Sequence, residues 1–421
     1  MATNALAHYL SARDGAPADA QIESILDAVR KHLGMEIAFA ARYENGHRTF
    51  THISAGIPVP AAPGDSEPQE QSFCWNILQG HLPELIHNAA DLPFAKTLPI
   101  TMALPVGCHL DVPLRMKDGS IYGSFCCLSR TPDYSLTERD LDTVRAFAAL
   151  AADLIETSEA AKADRRATRD RIEQVIGAAQ PVVHLQPIHC LATGRSIGAE
   201  ALARFEDRRA PNLWFDEAWS GGLGVELELA AIRNALAALP YVPRGCYLSI
   251  NASPETILSG RVLPLLQVMQ GRDIVIEVTE HSRVEDYQAL AAALAPLRPY
   301  ARIAVDDVGA GYAGLRHILA LEADILKLDM SLTRGIDSDP AKRALAVAMV
   351  SFADRTGCAI VAEGVETAEE RRVLQELGVL YGQGWLFSRA MPVTAAHQHL
   401  LGASSIAEPT RAYSAARAAA A

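Results

Sequence analysis

In the second half of this sequence, carboxylates and carboxamides recur at the ends of apolar runs, and "RIAVDDVGAG" sets Asp306 and Asp307 side by side. Adjacent like charges at the mouth of a buried strand repel each other and lose hydration unless a cation sits between them. Equivalent run ends carry Gln186, Glu200, Arg204, Asn251, Glu277, Glu280, Lys327, Asp329, Glu363, Glu366 and Gln383. Oxygen donors without His or Cys are what hard divalent ions such as Mg2+ or Mn2+ prefer. Asp306 and Asp307 therefore read as ligands in a two-metal site, with the following glycines leaving room for a ligand to approach. The alternative is that each carboxylate caps a helix or pairs with Arg or Lys. It weakens for the whole set at one mouth, because so many acids would repel strongly without a cation.

Such a site needs elements that bring distant run ends together. The strand-like runs are "VVHLQPI", "SIGAEALARF", "CYLSINA", "DIVIEVTE", "RIAVDDVG", "ILKLD", "AIVAEGVE" and "YGQGWLF". Helical stretches such as "ELELAAIRNALAAL", "EDYQALAAALAPL", "DPAKRALAVAMVSFADRTG" and "AEERRVLQELG" lie between most of them. This alternation predicts an α/β (β/α)8 TIM-like barrel whose polar strand ends line the active face. A doubly wound open sheet is the structural alternative, although no Gly-rich dinucleotide turn opens this half. Strand alternation puts Glu200, Leu202 and Arg204 on one face, and Lys327 and Asp329 on one face.

The first part reads as an α+β unit. An amphipathic "IESILDAVRKHL" leads to strand-like "EIAFAARY" and "RTFTHISA" joined by an Asn-Gly turn, and "CHLDVPLRM" and "IYGSFCCLS" flank an Asp-Gly turn. Ser135 and Glu138 offer a capping box for a long helix that follows. The second half of that helix is too polar for a core and reads as a connector or, preferably, a two-helix dimer seam. Cys74, Trp75, Cys108 and His109 are candidates to line a pocket in this unit.

A formal charge of −12, from 50 acids against 38 bases, argues against binding long nucleic acid through its phosphates. Metals could still reverse the local sign for a small phosphate ester. The seven cysteines are scattered and give neither a disulfide framework nor paired Cys-x-x-Cys zinc spacing. No stretch reads as a leader or a membrane span, so the expectation is a cytoplasmic protein without a membrane partner. The last stretch, 403–421, reads as a disordered tail.

"EALAR" with "LQPI", "SINAS", "IEVTE", "DDVGAGYAGL", "LKLD", "VAEGVET" and "GQGWLFSRAMP" resembles the EAL domain family of cyclic-di-GMP phosphodiesterases. The resemblance implies that Glu200, Asn251, Glu277 and Asp306 hold one Mg2+ or Mn2+ ion and that Asp306, Asp307 and Glu363 hold a second. It implies catalytic parts for Glu200 and Glu363, a water-polarising Lys327, support from Gln383, and a Glu280 that steadies the loop starting at Asp306. Gln186, Leu202, Arg204 and Asp329 would contact the dinucleotide, and the product would be linear pGpG. No organic cofactor is implied in the EAL domain. The loop departs from the commonest family form, Asp-Asp-Phe-Gly-Thr-Gly, at Val308 and Ala310, and the segment after the EAL motif lacks the usual Trp-x-His-Pro run.

The first unit resembles a GAF domain, with "GCHLDVPLRMKDGSIYGSFCCLSR" and "LTERDLDTVRAFAALAADLIE" as the clearest stretches and its ligand unknown. The expected organisation is a GAF sensory domain over 1–157, a helical linker over 158–174 and an EAL domain over 175–402. The expected assembly is a homodimer through the EAL domain and the linker helix or GAF domain. A catalytically inactive cyclic-di-GMP receptor is the rival reading, and a hydrolase for another phosphodiester is the third.

Overall fold

The computed structural model describes residues 17–103, 105–278, 286–308 and 320–403, so the expected tail beyond 403 lies outside the described residues. The chain divides into two compact units, 1–164 and 165–421. The division falls inside one 40-residue helix, Glu138–Gly177.

The first unit contains strands β1 (Ile37–Glu44), β2 (His47–Ala55), β3 (Ser66–Pro68), β4 (Leu85–Ile86), β5 (Cys108–Arg115) and β6 (Ile121–Ser129). They form one antiparallel sheet in the order β3-β2-β1-β6-β5-β4. The β1–β2 turn works because Asn45 and Gly46 both take positive φ, 52° and 77°, as a tight two-residue hairpin requires. Alternation then sorts the side chains. Ala38, Ala40, Leu110, Val112, Phe125 and Cys127 face the helices Ala18–His32 and Glu138–Gly177, while Ile37, Phe39, Ala41, Cys126 and Leu128 pack on the opposite face. Cys108 lies with the helix-facing set, so it does not share a pocket with His109 as expected.

The long helix also starts differently from the expectation. Asp140 accepts hydrogen bonds from the Thr137 amide and hydroxyl, both at 2.8 Å, while Ser135 is taken up by the Asp133 carboxylate. The contact between Thr137 and Asp140 thus sits two residues later than the expected Ser135–Glu138 box, and the Asp140 amide donates to the Thr137 carbonyl rather than to its hydroxyl, while Asp133 takes the serine. Residues 159–167 of the helix are exposed throughout.

In the second unit, β7 (Val182–Cys190), β8 (Ser196–Arg204), β9 (Tyr247–Ala252), β10 (Ile274–Val278), β11 (Arg302–Val308), β12 (Ile325–Leu328), β13 (Ala359–Ala362) and β14 (Tyr381–Gly382) follow one another around a closed barrel. A two-residue β15 (Met391–Pro392) adds to β7. The run "YGQGWLF" contributes only its first two residues as strand. Seven of the eight strands are parallel, but β7 is antiparallel to both β8 and β14. The reason is connection length: residues 191–195 suffice for a hairpin, whereas a parallel crossover needs a dozen or more.

The barrel interior is layered. Ile188, Tyr247, Val275, Ala304, Ile325 and Val361 form an apolar plug. Two residues further along the parallel strands, on the same face, come Ser249, Glu277, Asp306, Lys327 and Glu363. Glu200 follows Gly198 in the same way, and the reversed β7 presents Gln186 opposite Glu200. The outward residues, including Leu248, Ile276, Val305, Leu326 and Ile360, meet the surrounding helices, so these strands read as near-continuous apolar runs.

Gly198 is required by the plug, since a Cβ there would lie 2.7 Å from the Tyr247 ring. Gly198→Ala is therefore expected to destabilise the protein by about 1–3 kcal/mol through overpacking. Thermal unfolding checks this, and an unchanged midpoint would show that the ring has room to yield.

Candidate active site

Lys327 is the centre of the polar layer. It leaves β12 directly above Ile325, is almost fully buried, and its Nζ lies 2.6 Å from Glu363 Oε1, 2.8 Å from Glu277 Oε2, 3.3 Å from Asp306 Oδ1 and 3.4 Å from Glu200 Oε2. Burial alone would strip a lysine of its proton, but Asp306, Glu200, Glu277 and Glu363 outweigh it and hold the ammonium well above its ordinary range. Lys327 is therefore held as a cation and donor by the acids around it.

Glu200 and Glu277 are each held by further neighbours of their own. Glu200 accepts from Asn251 Nδ2 at 3.0 Å and from Gln383 Nε2 at 2.7 Å. Burial raises its pKa, yet Lys327 and those two amides bring the net shift below the ordinary value. Glu277 accepts from Ser249 Oγ at 2.6 Å and from Lys327. Burial and the Glu200 charge push it well above the usual carboxylate range. Glu363 is likewise raised to about 7, by burial first and then by Asp306 and Glu200 against the pull of Lys327.

The Asp306–Asp307 pair depends on a bulge. Val305 pairs with Leu326 but Val308 pairs with Leu328, so β11 carries one extra residue there, and Asp307 takes φ 52°. In a regular strand the two side chains would point to opposite faces. The bulge re-aims them, so that oxygens of Asp306, Asp307 and Glu363 all lie within 4.8 Å of one another. Asp tolerates the left-handed conformation better than most residues.

These residues fit divalent cations. Four carboxylates share one ammonium at the barrel mouth. Asp306 Oδ1 is buried without a hydrogen bond and has only the shared Lys327 ammonium, 3.3 Å away, as an ionic partner. The donor set is oxygen throughout, which suits Mg2+ or Mn2+.

The expected substrate contacts are spread more widely. Gln186 Oε1 accepts from Gln383 at 3.1 Å, and its amide donates to the Ser388 carbonyl at 3.2 Å. Leu202 and Arg204 border a cavity of about 370 Å³ that also reaches Asn251, Phe215 and Trp219. Asp329 caps the short helix Met330–Thr333 through the Ser331 amide. Glu366 pairs with Arg334 at the surface. Glu280 and the loop 309–319 lie outside the described residues.

Ser249 is a site residue that the sequence reading missed. The signal was present in "SIN", since Ser249 and Asn251 are two apart on one face of β9. Where a Trp-x-His-Pro run was absent, the helix Pro211–Ser220 stacks Trp214 on Phe205, with ring centroids 5.1 Å apart.

Residues 169–390 match the family model of the EAL domain, and residues 16–156 match that of the GAF domain. The probable cyclic di-GMP phosphodiesterase PdeB of Escherichia coli K12 is 32% identical over 249 residues, covering 55% of this chain and 47% of that protein. PdeA of the same organism, also described as a probable cyclic di-GMP phosphodiesterase, is 29% identical over 172 residues, covering 39% and 24%. The chain thus spans less than half the length of these two curated relatives. The cAMP-bound EAL enzyme Bd1971 shares the fold at a TM-score of 0.53 and 19% identity, over 87% of this chain and 94% of its own. With more than half its residues matched by the family model and its acidic barrel mouth intact, the chain belongs to the EAL domain family, behind a GAF domain.

Proposed function

We propose that this chain hydrolyses cyclic di-GMP to linear pGpG with two divalent cations, under the control of its GAF domain. The observation that carries the reading is the convergence of Glu200, Glu277, Asp306 and Glu363 on the buried Lys327, with Asn251 and Asp307 beside them. Glu200, Asn251, Glu277 and Asp306 would hold one Mg2+ or Mn2+ ion, and Asp306, Asp307 and Glu363 the other. When bound, the cations supply charge neutralisation of the phosphate and acidification of the attacking water.

The chain's own residues supply position. Arg204 and Leu202 border the cavity beside Asn251, where a guanylate arm of the substrate would lie. Gln383 fixes both Gln186 and Glu200, so the nucleotide-contacting strand and the acidic layer keep one register. Lys327, locked as a cation, orients and polarises the water, because it can donate but not accept a proton. The water oxygen ends on the 5′-phosphate, and one of its protons ends on the released 3′-oxygen. Homodimer formation through the EAL domain and the exposed stretch 159–167 is part of this proposal.

Hydrolysis by purified protein in Mg2+, Mn2+ or EDTA tests the reading directly. Metal-dependent pGpG is expected, reduced at least 100-fold by Asp306→Asn. Tight binding of cyclic di-GMP without turnover in either metal, for the full chain and for residues 175–421 alone, would replace the enzyme with a receptor.

Glu363 must lose its proton to bind a cation, and its value of about 7 sets the window. Mn2+ affinity is therefore expected to fall by up to about tenfold between pH 7 and 6, with proton release on binding. Calorimetry in buffers of different ionisation enthalpy reads that proton. Affinity that stays flat between pH 8 and 6 would contradict the assignment.

Coupling through the long helix is read by inserting two residues after Ala161, which turns everything beyond by about 200°. Turnover is expected to change severalfold while substrate affinity stays within about twofold. Turnover equal to that of the parent would remove the helix from the regulatory account.

A further inference from the structure

A second cluster of ligating side chains lies in the first unit, far in sequence from the barrel. Cys74 from the helix Phe73–Leu78, His109 from β5 and Cys126 from β6 bring two thiol sulfurs and an imidazole nitrogen within 4.8 Å of one another. Register explains the meeting, since Asp111 pairs with Cys126 and His109 sits two residues before Asp111 on the same face. All four side chains are essentially inaccessible: Cys74 and Cys126 at 0%, His109 and Asp111 at 1%.

The polar atoms exceed what the protein satisfies. Cys126 Sγ is 3.1 Å from His109 Nε2, and Arg48 Nη1 donates to Cys74 Sγ at 3.2 Å. Asp111 Oδ1, however, is buried without any hydrogen bond, as are His109 Nδ1 and Arg48 Nε. Leaving such groups unpaired costs on the order of 1–3 kcal/mol each. This is an expensive arrangement for a sheet face otherwise packed with Ile37, Phe39, Ala41 and Leu128.

We propose that Cys74, His109 and Cys126 form a binding site for a thiophilic transition-metal ion such as Zn2+ or Fe2+, with Asp111 completing the coordination. Two thiolates, one neutral imidazole and one carboxylate are an ordinary donor set for a tetrahedral ion, with metal–sulfur bonds of about 2.3 Å and metal–nitrogen bonds of about 2.0–2.1 Å. Charge also favours it. Two thiolates and one carboxylate around a divalent ion leave one negative charge, and the Arg48 guanidinium beside Cys74 offsets it. Arg48 is itself fixed by Glu67 at 2.6 Å and by the Phe50 ring, 4.5 Å below its guanidinium. The site is soft where the barrel mouth is hard, so the two would select different metals. Its occupation would couple the helix Phe73–Leu78 to β5 and β6, giving this domain a metal-dependent state.

Cobalt(II) distinguishes the two sites, because only thiolate ligation gives an intense near-ultraviolet sulfur-to-cobalt charge-transfer band. Reduced full-length protein titrated with Co2+ is expected to develop that band with an endpoint at one equivalent of thiolate-bound metal. Asp306→Asn is expected to retain it, and Cys74→Ala and Cys126→Ala each to lose it. If those variants do not fold, the double substitution Cys190→Ser and Cys358→Ser, which removes the two less buried thiols, decides: retention of the band supports the site and its loss overturns it. Folded wild-type protein that shows no such band at excess Co2+ overturns the proposal outright. None of these outcomes depends on whether the barrel hydrolyses cyclic di-GMP.

Discussion

The barrel unit depends on one ammonium group. Lys327 sits within 3.4 Å of four carboxylates in a space almost closed to solvent. Removing it would leave buried like charges facing one another, and breaking a buried ion pair typically costs about 3–5 kcal/mol. Yet one positive charge cannot balance four acids. Burial and the neighbouring carboxylates accordingly push the pKa values of Glu277 and Glu363 upward. That imbalance makes the mouth receptive to a dication, because a site already neutral would gain little from one.

Everything beneath Lys327 serves to hold it still. The apolar plug of Ile188, Tyr247, Val275, Ala304, Ile325 and Val361 excludes water from below. Strand alternation then makes the next inward position polar on strand after strand. Because Glu200 and Glu277 leave rigid strands and are each tied to an amide or hydroxyl, little freedom of these two side chains remains to be lost on binding. Glu200 through Asn251 and Gln383, and Glu277 through Ser249, show how these ties are distributed.

The first unit solves a related problem on a different scaffold. Its antiparallel sheet buries one face against two helices in a largely apolar interface, while the other face admits Arg48, His109, Asp111 and two cysteines among aliphatic side chains. In both units the polar groups occupy positions that alternation hands to one side of a sheet. They differ in ligand type, oxygen in the barrel and largely sulfur and nitrogen in the sheet, and so in the ions they can hold.

Much of this was legible in the sequence. Eight apolar runs alternating with helical periodicity pointed to the barrel that the structure shows, and oxygen donors at the run ends pointed to the candidate site, because both signals are local and periodic. The sequence could not show that β7 runs against its neighbours, although the five-residue link before β8 is the physical cause. Nor could it show that Asp306 and Asp307 share a mouth, since a regular strand would part them and only the bulge against β12 brings them together. Placing Cys108 in one pocket with His109 failed for the same reason in reverse: neighbours in a strand face apart, and the residue that meets His109 is Cys126, delivered by cross-strand register. Residue types and their spacing along each element were set by the sequence alone. Which of those residues touch was decided by register, bulge and closure, because these are properties of pairs of strands.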